Sequence, residues 1–372
     1  MDSEITIIGA GVVGLSIARS CSKFSDEINL IEKYNSFGLE SSSRNSEVIH
    51  SGIYYPVNSL KSDLCISGRN MIYEYCDLNK VSHNKCGKLI IAQNLKEKND
   101  LIHLTELAIK KGIECEFLNE KSIKVKEPNL LAKYALFLPQ SGVIDSHGYM
   151  SALVNDIDDN VDIAYKTEVK KIKKIDQGYE LTIQNPDKTK SFITTRILIN
   201  SGGLNSYQLS KMAGIKDKDY EVSYWKGEYF WASNVKKNYL KALIYPLPDK
   251  NMEGLGIHST TDLNGRLKFG PNAIYLNRSS NFDYSINMSN RKKFYDAIVK
   301  YLPEINISQL HPDFAGIRPK LQKPGSLFRD FVIRNEKDRG FYNFINLIGI
   351  ESPGLTASLA IGDYITDIID WS

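Results

Sequence analysis

Paired metal-binding cysteines are missing from this chain. Its five cysteines, Cys21, Cys65, Cys76, Cys86 and Cys115, form neither a CxxC pair nor a metal-ligand rhythm. That excludes an ordinary zinc site, so no metal is expected, and it fits a reducing cytoplasm. No window approaches the ~20 apolar residues of a membrane span. The opening "MDSEITIIGAG" enters a strand without a basic leader, so a cytoplasmic location is expected, with room for peripheral attachment at the inner face of a membrane. Charge of one sign is also lacking: 47 basic and 44 acidic residues leave a formal charge of +3, too weak a field to call for nucleic acid as partner. The basic run "KKIKK" at residues 170–174 reads as a solvated strand face. Repeats and low-complexity segments are absent. With 42% hydrophobic and 24% charged residues over 372 positions, the chain has the composition of a folded globular protein larger than one ordinary core.

What is present begins with a βαβ unit. Residues 4–8 form a β-branched run ending at Gly9, residues 16–23 continue as a helix, and "EINLIEK" is a second strand. Helical apolar spacing covers residues 60–78, and a second helix covers 99–111, closed by Gly112; "KLIIAQ" between them is strand-like. After "SGVIDSHGYM" and a short helix, "EVKKIKKID", "YELTIQ" and "SFITTRILIN" look like a three-stranded meander. The aromatic and β-branched stretch 220–280 predicts an antiparallel sheet facing a substrate, with Asn264-Gly265 as a hairpin turn. Ser289 is expected to cap a helix reaching residue 302, and the chain closes with strand "NFINLIG" and helix "LTASLAIGDYITDII". The order predicts an α/β nucleotide-binding domain built from segments 1–78, 139–215 and 315–372. A second, α+β domain on an antiparallel sheet, from segments 79–138 and 216–314, is inserted into it.

Gly9-Ala10-Gly11-Val12-Val13-Gly14 matches G-x-G-x-x-G after a strand and at a helix start. Gly9 allows the tight turn, Gly11 lets backbone approach a pyrophosphate, and Gly14 lets helix pack on strand, while helix N-terminal amides face the anion. Glu32, 18 residues beyond Gly14, is placed to accept hydrogen bonds from an adenosine ribose. An acid there disfavours a 2′-phosphate, which makes NADP the poorest choice; the motif itself does not separate NAD from FAD.

The stretch "EKYNSFGLESSSRNSEVIHSGIYYPVNSLKSDLCISGRNMIYEYC" resembles the N-terminal flavin region of the L-2-hydroxyglutarate dehydrogenase/oxidase family, within the D-amino-acid-oxidase-like flavoproteins. The resemblance continues in order through "CGKLIIA", "SGVIDSHGYM", "KGEYF", "YPLPD", "GLGIHSTTDLNGRLKFGPNA", "FAGIRPKL" and "SPGLTASLAI". It implies FAD as cofactor, held in a Rossmann-like FAD-binding domain. By this resemblance Lys33, Ser41, Ser42, Ser43, Arg44, Asn45 and Ser46 run along the pyrophosphate and under the flavin ring, beside Val12 and Val13 of the glycine turn. Val169, Gly202 and Gly203 close over the adenosine side. Gly354, Leu355 and Thr356 put a helix N-terminus near the ring.

A flavin takes hydride, so the protein must supply a base and cations for a small acid. His50 is the leading base, since imidazole titrates near neutrality. Arg318, in "GIRPKL", is the expected carboxylate clamp. Tyr54, Tyr55, Lys226 and His258 are candidate pocket residues. Lys226 stands where the family commonly has arginine, which opens a sister group with another substrate. The resemblance implies oxidation of a small-molecule 2-hydroxy acid, with L-2-hydroxyglutarate going to 2-oxoglutarate, and an unidentified electron acceptor: oxygen, a quinone or a protein. Alternatives are oxidation of an amino acid or secondary amine, a flavin-binding protein without turnover and, less favoured, oxidation of glycerol 3-phosphate.

Overall fold

The computed structural model describes residues 1–157, 159–247, 256–277 and 282–371. Parts of the quoted "YPLPD" and "GLGIHST" stretches lie outside the described residues. The first sheet has eight strands. Strand Ser3–Ile8 is buried along nearly its whole length, as the centre of a parallel sheet covered on both faces requires. It pairs in parallel with Lys190–Asn200 on one side and Ile28–Ile31 on the other, and Val161–Ala164 continues the parallel run. Strand Lys190–Asn200 serves two neighbourhoods. Its first half closes the antiparallel meander with Gly178–Gln184 and Glu168–Ile175, and its end pairs in parallel with Phe344–Ile348.

Helix Val12–Cys21 starts directly after Gly11, four residues earlier than the apolar spacing predicts, because the glycine turn itself is the helix entry. The terminal helix Gly354–Ile368 is locked by two close crossings. A Cβ on Gly362 would lie 2.5 Å from the Ser16 carbonyl oxygen, and one on Gly68 would lie 2.4 Å from that of Thr356. Gly68 belongs to helix Leu60–Leu78, which Ser59 caps by accepting from the Ser62 amide. These contacts fix where the N-terminus of the terminal helix stands.

The second sheet has nine strands. Strand Leu310–Lys320 pairs antiparallel with Ser223–Ala232, while Lys88–Ala92 pairs antiparallel with Tyr134–Leu138 and in parallel with Leu243–Pro246. The sheet is therefore mixed, where the sequence pattern suggested an antiparallel one. The Asn264-Gly265 turn joins Ser259–Thr261 to Leu267–Phe269 as a hairpin, with Gly265 at φ 81°. Strand Leu310–Lys320 also runs through residue 315, the expected start of the third nucleotide-binding segment.

Two helices differ in extent from the sequence pattern. Helix Leu95–Lys110 begins at the Asn94 cap, whose side chain accepts from the Glu97 amide. Helix Arg291–Ile298 follows a 3-10 turn capped by Asn287 rather than by Ser289, and it stops ahead of Pro303, which disfavours helix in the residue before it. No helix among the described residues is long and apolar enough to cross a membrane.

Candidate functional site

The two sheets meet at residues 41–50. Gly316 makes the meeting close: a Cβ there would lie 1.9 Å from the Arg44 carbonyl oxygen. Ser41 Oγ donates to the Ile317 carbonyl at 2.9 Å, and Asn45 Nδ2 donates to the Ser42 carbonyl at 2.7 Å. Asn45 Oδ1 accepts from the Glu47 amide. These bonds hold a segment that has no helix or strand periodicity. Two clefts open on either side of it, sharing Val13, Ser41, Ser42 and Ile350 as wall, so they form one channel.

The first cleft runs over the glycine turn. Gly9 sits at φ 106°, a conformation open to glycine, and a Cβ on Gly14 would lie 1.9 Å from the Gly9 carbonyl oxygen. Gly9 and Gly11 border the cleft, whereas Gly14 is used for packing. The positive end of helix Val12–Cys21 therefore faces it, and Ser42 Oγ accepts from the Val12 amide at 3.0 Å. Glu32 stands farther along, accepting from the Ala10 and Tyr34 amides at 2.9 Å each. Burial raises its pKa from 4.5, opposed by those two amides. Lys33, ion-paired to Glu40 at 2.8 Å, and Val169, Gly202 and Gly203 complete the wall.

The second cleft holds His50, Arg318, Tyr54, Tyr55 and His258 together, and Val12, Arg44, Asn45, Ser46, Gly354 and Leu355 also line it. The guanidinium of Arg44 lies over the Tyr284 ring at 4.3 Å. Thr356 does not border either cleft; its Oγ1 accepts from the His50 amide at 3.0 Å and donates to the Val48 carbonyl at 3.2 Å, so it fixes the histidine backbone. Ser43 and Lys226 also lie off both clefts. Lys226 neighbours Gly227, which lines the second cleft, and strand alternation turns the lysine to the opposite face, where it pairs with Asp283 at 3.5 Å.

Arg318 Nη2 donates to the Asn272 carbonyl at 2.9 Å, in space left by Gly227, whose Cβ would stand 2.9 Å from that nitrogen. Lys61, Lys320 and Glu351 also line this cleft. Sequence reading did not single out Lys61 or Glu351. Lys61 and Glu351 form a 2.8 Å ion pair with side chains 6% and 8% exposed. Burial works to raise the Glu351 pKa, but Lys61, Lys320 and Arg318 outweigh it and hold the carboxyl below 4.5. Lys61, Lys320 and Arg318 thus surround the Glu351 carboxylate in this cleft.

His50 is held at both ring nitrogens: Nδ1 lies 3.5 Å from Lys88 Nζ, and Nε2 lies 3.4 Å from Ser352 Oγ. Desolvation, then the charges at Lys88 and His258, put its pKa well below 6.5, so the imidazole is neutral at pH 7. His258 stacks on Tyr245 with ring centres 3.8 Å apart, and burial, followed by Lys88, lowers its pKa to about 3. The Tyr54 hydroxyl is buried with no hydrogen-bond partner among the described residues, a donor left for a ligand to satisfy.

A family model described as FAD dependent oxidoreductase matches residues 4–368. The chain belongs to this family. It is 35% identical to the protein named L-2-hydroxyglutarate dehydrogenase, mitochondrial, of Arabidopsis thaliana, over 98% of this chain and 83% of that one. With the Escherichia coli K12 protein named L-2-hydroxyglutarate dehydrogenase it shares 27% identity, over 97% and 92%. The solved structure of L-alpha-glycerophosphate oxidase from Mycoplasma pneumoniae with FAD bound superposes with a TM-score of 0.88 at 25% identity, covering 100% of this chain and 95% of that one. Glycine oxidase from Bacillus cereus shares the fold, with a TM-score of 0.79 at 19% identity over 98% and 94%.

As an FAD-dependent oxidoreductase the chain uses FAD, and its donor set suits that group. The first cleft offers a helix N-terminus and serines for a pyrophosphate, then Glu32 for a ribose. Val169, Leu209 and Met212 give an apolar wall for an adenine. The orphaned Tyr54 hydroxyl and the cations come in the adjoining second cleft.

Proposed function

We propose that this chain oxidises L-2-hydroxyglutarate to 2-oxoglutarate, with segments 1–78, 139–215 and 315–372 forming the FAD-binding domain, which also presents His50, Tyr54, Lys61, Arg318 and Lys320 to the substrate, and 79–138 and 216–314 forming the substrate domain. The observation that carries the reading is the cationic lining of the second cleft, where Lys61, Arg318 and Lys320 stand around Glu351 beside a neutral imidazole. A dicarboxylate dianion suits that lining, and an ammonium group is repelled by it, which sets amino-acid oxidation behind. The names of the relatives from Arabidopsis thaliana and Escherichia coli support the same substrate.

Bound FAD supplies the acceptor for the hydride from C2. Arg318 grips one carboxylate through its planar fork, and the Lys61 and Lys320 ammonium groups hold the second. His50, whose lowered pKa keeps the ring neutral in the resting protein, takes the hydroxyl proton. Tyr54 donates to a substrate oxygen, and the Tyr229 ring, stacked on Phe314 at 4.3 Å, narrows the cleft. Oxygen, a quinone or a protein takes the electrons onward, and the five unpaired cysteines suit a reducing compartment such as the cytoplasm.

A phosphate dianion matches the same charge, and the glycerophosphate oxidase likeness makes glycerol 3-phosphate the second reading. Anaerobic bleaching of the flavin absorbance separates them. L-2-Hydroxyglutarate is expected to bleach the protein, while its D-enantiomer, glutamate, proline and glycerol 3-phosphate leave it yellow. Bleaching by glycerol 3-phosphate or an amine alone overturns the proposal, and a fully loaded protein that no substrate bleaches points to flavin binding without turnover.

A further inference from the structure

We propose that Lys88 is a proton relay behind His50: the imidazole receives the substrate's hydroxyl proton at Nε2 while its Nδ1 proton passes to the Lys88 amine. The inference rests on the reading of His50 as base.

The placement of Lys88 is unusual for a lysine. It begins strand Lys88–Ala92, all five residues of which are buried, and its side chain has no acidic partner among the described residues. Its residue exposure is 1%. Instead Nζ lies 4.2 Å from the centre of the Tyr245 ring and 3.5 Å from His50 Nδ1. The other face of the imidazole, Nε2, looks toward Ser352 and the cleft. One ring thus bridges the substrate side to a buried amine.

Apart from Lys111, the groups around this pair stay fixed in charge where the pair titrates. From helix Leu60–Leu78, burial pushes the Cys65 thiol up to about 12. Burial likewise raises Cys86 to about 11 and holds the Tyr245 phenol well above 10. His258 is neutral, at about 3. Burial brings Lys88 itself down from 10.5 to about 8, with Cys65 and Cys86 opposing. Lys111 is also lowered to about 8, but its ammonium donates to the carbonyls of Gly52, Ile53 and Tyr55 rather than to His50.

The tautomer of His50 follows from the state of Lys88. A charged Lys88 donates to Nδ1, which places the ring proton on Nε2 and blocks uptake from the substrate. A neutral Lys88 accepts from Nδ1–H, which frees the Nε2 lone pair. In the balanced step the substrate O–H bond breaks and an Nε2–H bond forms. The Nδ1–H bond breaks, an Nζ–H bond forms, and the electron pair of the C2–H bond leaves with the hydride to FAD. The carbinol carbon is oxidised to a ketone and Lys88 becomes an ammonium. When product leaves, the proton returns through the ring to water in the open cleft.

The test is ¹⁵N NMR of selectively histidine-labelled holoenzyme, which has six histidines. It is paired with the rate of anaerobic flavin bleaching against pH, for the wild type, Lys88→Met and Lys88→Arg. In the wild type His50 is expected to pass from the Nε2–H to the Nδ1–H form with a midpoint near pH 8 and no fully protonated intermediate. The bleaching rate should rise about tenfold per pH unit below that midpoint and level above it. Lys88→Met should abolish the tautomer change and the slope, and lower the plateau rate at least tenfold. Lys88→Arg should hold the Nε2–H form throughout, since guanidinium stays charged. A wild-type His50 that keeps one tautomer from pH 6 to 10 overturns the relay, as does a Lys88→Met variant that keeps the wild-type slope. The NMR readout needs no substrate, so failure of the 2-hydroxyglutarate assignment leaves it intact as a separate result.

Discussion

Replacing Lys88 by methionine keeps the length of the side chain and removes a charge that the fold holds at a cost. Burial lowers the Lys88 pKa from 10.5 to about 8; at about 1.4 kcal/mol per pH unit, holding the ammonium inside costs about 3 kcal/mol at neutral pH. Loss of the ammonium from the Tyr245 ring face takes back about 1 kcal/mol, so the variant should be more stable by about 2 kcal/mol. The sign of the pH dependence is fixed by linkage. Because the folded pKa lies below the unfolded one, the unfolded state binds more protons between about pH 8 and 10.5. Wild-type stability from this group therefore rises with pH across that window. The gap between variant and wild type should shrink to under about 1 kcal/mol near pH 10. Urea unfolding of the FAD-saturated proteins at both pH values measures this. A methionine variant less stable than wild type near pH 7, or a gap that does not change with pH, refutes the reasoning that Lys88 is a strained, functionally retained charge.

Three further outcomes follow from the cleft. Glu351→Gln removes the partner of buried Lys61 and should lower stability by about 3 kcal/mol near pH 7. Since the folded Glu351 pKa lies below 4.5, the wild-type advantage is full above pH 4.5 and fades as pH falls through the folded value, which acid unfolding of both proteins will show. Arg318→Lys keeps the charge but loses the fork, and should raise KM for the acid substrate about thirtyfold, from a loss of about 2 kcal/mol in steady-state assays. Gly316→Ala puts a methyl against the Arg44 carbonyl; it should cost about 2 kcal/mol in thermal unfolding and weaken retention of FAD on dialysis.

The nucleotide half of the site was legible because its signals are local. The glycine triplet, the strand before it and the acid after it all lie within residues 4–32, and each is demanded by backbone geometry. The loop from Ser41 to His50 was legible through resemblance, and the structure gives its physical reason: small residues that let the Gly316 strand approach. Arg318 was legible in the second cleft, but the buried Lys61–Glu351 pair and Lys88 behind His50 were not. Lys61 sits in the first turn of an ordinary capped helix and Lys88 at the head of an ordinary strand, and nothing nearby in sequence says that either is buried. Their partners, Glu351 and His50, are 290 and 38 residues away. Lys226 shows the converse: its neighbour Gly227 lines the cleft, but the pleat turns the lysine side chain to Asp283. Helix limits moved for similar reasons, through the Asn94 cap and the glycine-turn entry at Val12.

The central claim is that one anionic substrate lies between the His50 imidazole and the Arg318, Lys61 and Lys320 cations. A crystal structure of the FAD-loaded protein with 2-oxoglutarate bound under reducing conditions tests it most directly. The account predicts one carboxylate on Arg318, the other toward Lys61 and Lys320, and the keto oxygen within hydrogen-bond reach of His50 Nε2. A ligand seated on the Lys226 face, or one in the cleft with its keto oxygen turned away from His50, would contradict it.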